Sequence, residues 1–141
     1  MTEIKHRVDS DGTETWTHNG MLHRTDGPAL ILPNGTQQWY QNGQLHRKDG
    51  PAIIRADGTQ KWWQYGRLHR KDGPAMIRAD GTQEWHCIAQ LHRTDGPAII
   101  LPDGRYRWFI KNERFSFNEW LDQVCLSGKE KTLMILRWSH T

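Results

Sequence analysis

The chain has 141 residues, 19 Lys and Arg against 16 Asp and Glu, and a formal charge of +3. Hydrophobic residues make up 35% of it and the mean hydropathy is -0.85. These values argue against a thick apolar core and permit attraction to phosphates without demanding a nucleic-acid partner, and no run approaches the roughly 18 apolar residues needed to span a bilayer. Eight Trp supply apolar surface that a thin sheet can bury. No basic stretch followed by an apolar one opens the chain, so a soluble cytoplasmic protein is expected. Cys87 and Cys125 have no second thiol at metal-ligand spacing and fit a reducing compartment.

Along the chain, LHR(T/K)DGPA begins at Leu22, Leu45, Leu68 and Leu91, a period of 23 residues without insertion. The turn pairs Asp11-Gly12, Asn34-Gly35, Asp57-Gly58, Asp80-Gly81 and Asp103-Gly104 keep the same spacing. So do Trp16, Trp39, Trp62, Trp85 and Trp108. Three locked registers define a tandem array of about five units.

Each unit predicts a β-hairpin, because Asp-Gly or Asn-Gly supplies the positive φ values of a type I′ turn between β-favouring flanks. A two-residue turn pairs 33 with 36 and sets Leu30 opposite Trp39 on one face, Ala29 opposite Tyr40 on the other. The five Trp then form a structural ladder with Leu30, Ile53, Met76 and Ile99. On the opposite face Thr17, Tyr40, Trp63, His86 and Phe109 differ from unit to unit, which marks Tyr40, Trp63, His86 and Phe109 as candidate partner contacts.

A second turn, Asn19-Gly20 and Asn42-Gly43, weakens to Tyr65-Gly66 and is expected to be lost at Ile88-Ala89 and Lys111-Asn112. The HRxDGPA segment reads as a wide connection with a bend at its Gly and a strand start at its Pro. Two strands per unit, at about 4.8 Å each, give a single-layer antiparallel strip on the order of 45 Å long. The fold class is mainly β, with residues 1–114 as the array and 115–141 as a C-terminal cap.

In that cap Ser116 and Glu119 have capping-box spacing, and Trp120, Leu121, Val124 and Cys125 follow a helical period, which predicts a helix over 117–126. The apolar run within 129–138 fits a second helix or a last strand.

The succession of Trp, Asn-Gly, His and DGT on this period resembles a divergent MORN repeat over 7–112. It is more similar still to the HRxDGPA tandem-repeat proteins of bacteriophages and bacteria, whose unit is W-x-x-N-G-x-x-H-R-x-D-G-P-A. Arg24, Arg47, Arg70 and Arg93 stand where MORN units place Gly. The resemblance implies an elongated, twisted sheet of successive hairpins used as a docking scaffold, and no catalytic residue.

His23, His46, His69 and His92, each three residues before an Asp, have the composition of a general base. Four equal copies point instead to a structural device, since an active site is asymmetric and built once. Metal binding by these His is excluded by distance: adjacent units stand about 9.6 Å apart, whereas zinc ligands lie about 2.0–2.1 Å from the ion. The adjacent arginines, Arg47 and Arg70 among them, pair with the Asp two residues on or contact a partner. The expectation is a non-enzymatic scaffold, without cofactor, that binds a host protein as a phage-encoded inhibitor or adaptor. The alternative is a nucleotide or single-stranded nucleic-acid binder that stacks bases on the variable aromatics and uses Arg55, Arg70 and Arg78 for phosphates. Open sheet edges allow a homodimer.

Overall fold

A computed structural model describes residues 3–139; the outermost residues of both expected segments, 1–2 and 140–141, lie outside it. It is mainly β, antiparallel throughout, and ends in two helices. The main sheet has 12 strands in nearly sequential order. It runs from Lys5–Val8 and Glu14–His18, through one pair per unit such as Leu30–Ile31 with Gln37–Gln38, to Tyr106–Ile110 and Glu113–Phe115. Three separate two-stranded hairpins stand beside it: Tyr40–Gln41 with Gln44–Leu45, Trp63–Gln64 with Arg67–Leu68, and His86–Cys87 with Gln90–Leu91.

The ladder divides at each Trp. Trp39 donates its N–H to the carbonyl of Ala52, just before the next main-sheet strand (2.8 Å), while its own carbonyl accepts from the N–H of His46, just after the side hairpin (3.0 Å). Trp16, Trp62 and Trp85 do the same with Ala29 and His23, Ala75 and His69, and Ala98 and His92. One residue thus hands the chain from one set of partners to the other in each of the first four units.

The first turn differs from expectation. Leu32 N–H bonds to the Thr36 carbonyl and Gly35 N–H to that of Leu32 (both 2.9 Å), which makes a three-residue loop. Only Gly35 takes a positive φ, +87°. Pro33 presets the first central residue of a type I turn, and Asn34 Oδ1 accepts from Thr36 N–H (2.9 Å), the Asx pattern. The product is a type I turn closed by a left-handed Gly rather than a type I′ turn. The register therefore shifts by one: Leu30 pairs with Gln38, and Ile53 with Lys61, instead of with Trp39 and Trp62. Asp11, Asp57, Asp80 and Asp103 form the same Asx bond, and the backbone N–H two residues on holds each carboxyl below its usual range.

The second turn keeps its type I′ shape in all five units, including the two where its loss was expected. Asn42 and Gly43 have φ of 49° and 77°, and Ile88 and Ala89 follow at 48° and 64°. Hairpin closure and neighbouring hydrogen bonds hold the conformation after the favourable residues have gone.

The core is thin. Ala29, Ala52, Ala75 and Ala98 are fully buried where backbones approach closely, and Leu68 and Met76 are buried with Ala75 and Trp63 packed among them. The cap is denser: helix α1 (Phe117–Gln123) and helix α2 (Gly128–Trp138) bring Trp120, Leu121, Val124 and Trp138 onto Trp108. Both helices open with a capping box, Ser116 with Glu119 and Ser127 with Glu130, and the second box decides 129–138 as helix. No helix among the described residues is long and apolar enough to cross a membrane.

Trp120 is completely buried and donates its indole N–H to the Arg93 carbonyl (3.0 Å). Trp120→Ala is expected to cost about 3–5 kcal/mol, the usual loss for a buried aromatic. A denaturant titration of the two proteins measures it.

Candidate functional site

The HRxDGPA connection folds around its arginine. The guanidinium carbons of Arg24, Arg47, Arg70 and Arg93 lie 4.0, 4.0, 4.1 and 3.9 Å from the ring centres of Trp16, Trp39, Trp62 and Trp85. Backbone covers the other side of the group: a Cβ on Gly50 would stand 3.0 Å from Arg47 Cζ, so only Gly lets the bend approach this closely. Arg47 Nε donates to Asp49 Oδ1 (3.0 Å) and Nη1 to the Pro51 carbonyl (3.1 Å), and the other three corners repeat both bonds. The planar group is thus fixed by stacking and a fork of donors that Lys cannot reproduce. The expected Arg–Asp pairing is present, and the hydrogen bond from Arg holds Asp26, Asp49 and Asp72 below the ordinary carboxylate range.

Each histidine serves the next unit. Nδ1 of His23, His46, His69 and His92 accepts the N–H of Asn42, Tyr65, Ile88 and Lys111, the first residue of the following type I′ turn, at 3.0–3.2 Å. This bond requires a bare Nδ1. Burial, with Lys48 nearby, lowers the pKa of His46 from its ordinary 6.5.

Successive corners enclose open grooves. One, of about 630 Å³, lies between Arg24–Pro28 and His46–Asp49 over Trp39 and Gln41. Another, of about 580 Å³, lies between His69–Pro74 and His92–Asp95 over Trp85, His86 and Cys87. The Asp side chains on the rims are 75–86% exposed, whereas their Arg partners are tucked beneath at 13–25%.

The partner contacts expected from the variable column are half-buried and engaged internally. Tyr40 donates its hydroxyl to Gln38 Oε1 (2.9 Å), and burial raises its pKa. Trp63 packs on Leu68, Ala75 and Met76, so it belongs to the interior rather than to a free face opposite Trp62. The one-residue register shift and the break at Trp62 produce this change, since a slip of one exchanges faces. Phe109 pairs with Arg114 on the last hairpin. Arg47 and Arg70 spend their guanidinium groups on the corner just described.

His86 joins a cluster that the sequence reading missed. Its Nε2 lies 3.0 Å from Glu84 Oε2, and Arg78 Nε donates to Glu84 Oε1 (2.8 Å). Glu84 is buried, and the hydrogen bond from His86 is the main influence lowering its pKa. The available signal was the coincidence of an acid and a base two residues apart in a single unit. A scan against protein-family models and a search of curated proteins both find no match to the chain.

Arg47→Lys is expected to lose about 1–2 kcal/mol, because the stack and the donor fork go together. Asp49→Asn, at an exposed carboxylate, should cost less than half of that in the same denaturant titration.

A depressed folded pKa at His46 means that the unfolded chain binds more protons between that value and 6.5. The His46 contribution is therefore complete above about pH 6.5 and is lost as pH falls through the folded value. Melting temperatures across pH 5–8 test this. His46→Asn, which keeps an acceptor near the Nδ1 position but cannot titrate, should flatten the slope; an unchanged slope would contradict the assignment.

Proposed function

We propose that the chain is a non-enzymatic repeat scaffold that binds a protein partner along its row of corner grooves. The observation that carries this reading is the recurrence of open grooves between copies of one rigid corner, with differing floors, Gln41 in one and Cys87 in another. Equal His-Arg-Asp sets in four units, each engaged in structural bonds, suit a scaffold better than chemistry. The groove period, about 9.6 Å for two strands per unit, suits an extended protein segment that meets several units. Likeness to the HRxDGPA proteins of phages adds the suggestion, by analogy alone, of an inhibitor or adaptor acting on a host component in its cytoplasm. Base stacking would need exposed rings at Tyr40, Trp63 and His86, and all three are half-buried, with Tyr40 and His86 hydrogen-bonded to neighbouring side chains and Trp63 packed beside Leu68 and Met76, which favours the protein partner.

Affinity purification of the tagged chain from a bacterial lysate, with mass spectrometry, is expected to return a stoichiometric protein. Gln41→Trp and Cys87→Trp, which fill the two grooves, should reduce its recovery by roughly tenfold or more while melting temperatures hold. Recovery that both variants leave intact would remove the grooves as the binding surface.

A further inference from the structure

The tips of the second turns form a row of their own, and three of them depart from the Asn-Gly pattern, at Tyr65, Ile88 and Lys111. Asn19 and Asn42, residues that tolerate the left-handed region, give way to Tyr65 and Ile88 at φ of 49° and 48°. A β-branched residue at positive φ is a genuine outlier, and such strain persists where the surroundings fix it and function retains it. Ala89, at φ 64°, adds a second non-Gly residue to the same turn.

Their side chains take no part in the core. Tyr65 is 68% exposed and Ile88 55%, among the most exposed large apolar groups of the array. Both line one depression of about 360 Å³ together with Gln64, Arg67, His69 and Lys71. Below it the framework is firm: His69 Nδ1 accepts the Ile88 N–H (3.2 Å), Ala89 N–H bonds to the Leu68 carbonyl (2.9 Å), and the His46 ring contacts Tyr65 at 4.5 Å. The two cations on its wall have no carboxylate beside them among the lining residues.

We infer that this patch docks an acidic segment of a partner protein that carries one large apolar side chain. The apolar group seats between Tyr65 and Ile88, and its flanking carboxylates face Arg67 and Lys71. The apolar floor supplies burial and the cations supply orientation and charge selection. This inference rests on the protein-binding reading and adds a surface beside the 580 Å³ groove, with which it shares His69 and Lys71 but not the floor residue Cys87.

The test uses fluorescence polarisation with labelled peptides rich in Asp and Glu around a single Leu, Phe or Trp. Controls are the same peptides with Ala at the centre, Lys-rich counterparts and a short oligothymidine. Wild-type chain is compared with Tyr65→Asn and with Ile88→Asn/Ala89→Gly, which restores the Asn-Gly turn of the second unit. The expected result is salt-sensitive binding of the acidic apolar peptides that weakens roughly tenfold or more in both variants. The Ile88→Asn/Ala89→Gly protein should also melt at a higher temperature, because strain is released. Equal affinity of the variants, equal binding of the Ala-centred peptides, or preference for the Lys-rich peptide or oligothymidine would overturn the proposal. An unchanged or lower melting temperature would overturn its strain argument. If the acidic peptides fail while a lysate protein still binds and is lost in Gln41→Trp, this docking site falls and the groove reading stands; loss of both removes the scaffold reading itself.

Discussion

A guanidinium pressed flat on an indole is the contact on which the array turns. In each of the first four units it fixes the bend that returns the chain to the main sheet. A cation–π contact of this kind contributes about 0.5–2 kcal/mol depending on desolvation. Its structural effect is larger, because the same group also ties down an Asp and a Pro carbonyl, and the bend is Gly so that backbone can close over it. The Arg backbone reaches onward as well: Arg24, Arg47 and Arg93 donate their N–H to the carbonyls of Tyr40, Trp63 and Phe109 in the next unit. A fixed corner therefore places its successor, and stability accrues between nearest neighbours.

The two ends of the array close in different ways, and only the last Trp lacks its arginine. After Trp108 the position that would hold the next arginine is Ser116, which caps helix α1. Phe117 and Trp120 cover the Trp108 ring instead, at 4.9 and 4.6 Å between centroids. At the start of the array Trp16 carries Arg24 on its ring and His6 stacked at 4.2 Å. The outer strand Lys5–Val8 bears Lys, His and Arg, a composition that discourages pairing along its open edge. Between the ends, hydroxyls as well as imidazoles satisfy backbone donors across units: Thr36 and Thr59 accept the N–H of Ala56 and Ala79 (3.2 Å each). Buried polar groups with partners let so thin a core persist, since an unpaired backbone N–H would cost as much as a lost hydrogen bond.

Period, hairpins and the first cap helix were legible because each depends on neighbours close in sequence. The corner was not, since it joins Trp39 to Arg47 across a turn, although the constant separation of two columns on one period was a visible hint. The turn type was misread because Asp-Gly and Asn-Gly serve two loop geometries. The Asx bond from Asn34, repeated by Asp57 and Asp80 where Ala stands in place of Pro33, favours the three-residue loop, and the choice moves every cross-strand partner by one. From that one-residue shift, together with the break at Trp62, follows the misplacement of Trp63, which looked like a surface anchor and packs beside Met76.

Variation among copies is therefore not by itself a sign of recognition. The constant columns, Trp, His, Arg, Asp, Gly and Ala, each have an internal contact that accounts for them. Some variable columns change in compensating pairs: Gln38 with Tyr40 and Glu84 with His86 meet through hydrogen bonds, so a change at one position calls for a change at the other. Such pairs record packing within a unit. Other variable positions, the groove floors at Gln41 and Cys87 and the turn tips at Tyr65 and Ile88, face open depressions. At Ile88 the backbone is held where its own side chain is disfavoured. Packing explains neither that departure nor the exposure that comes with it, so the proposed protein-binding reading looks for its contacts at these positions rather than in the aromatic column that first suggested it.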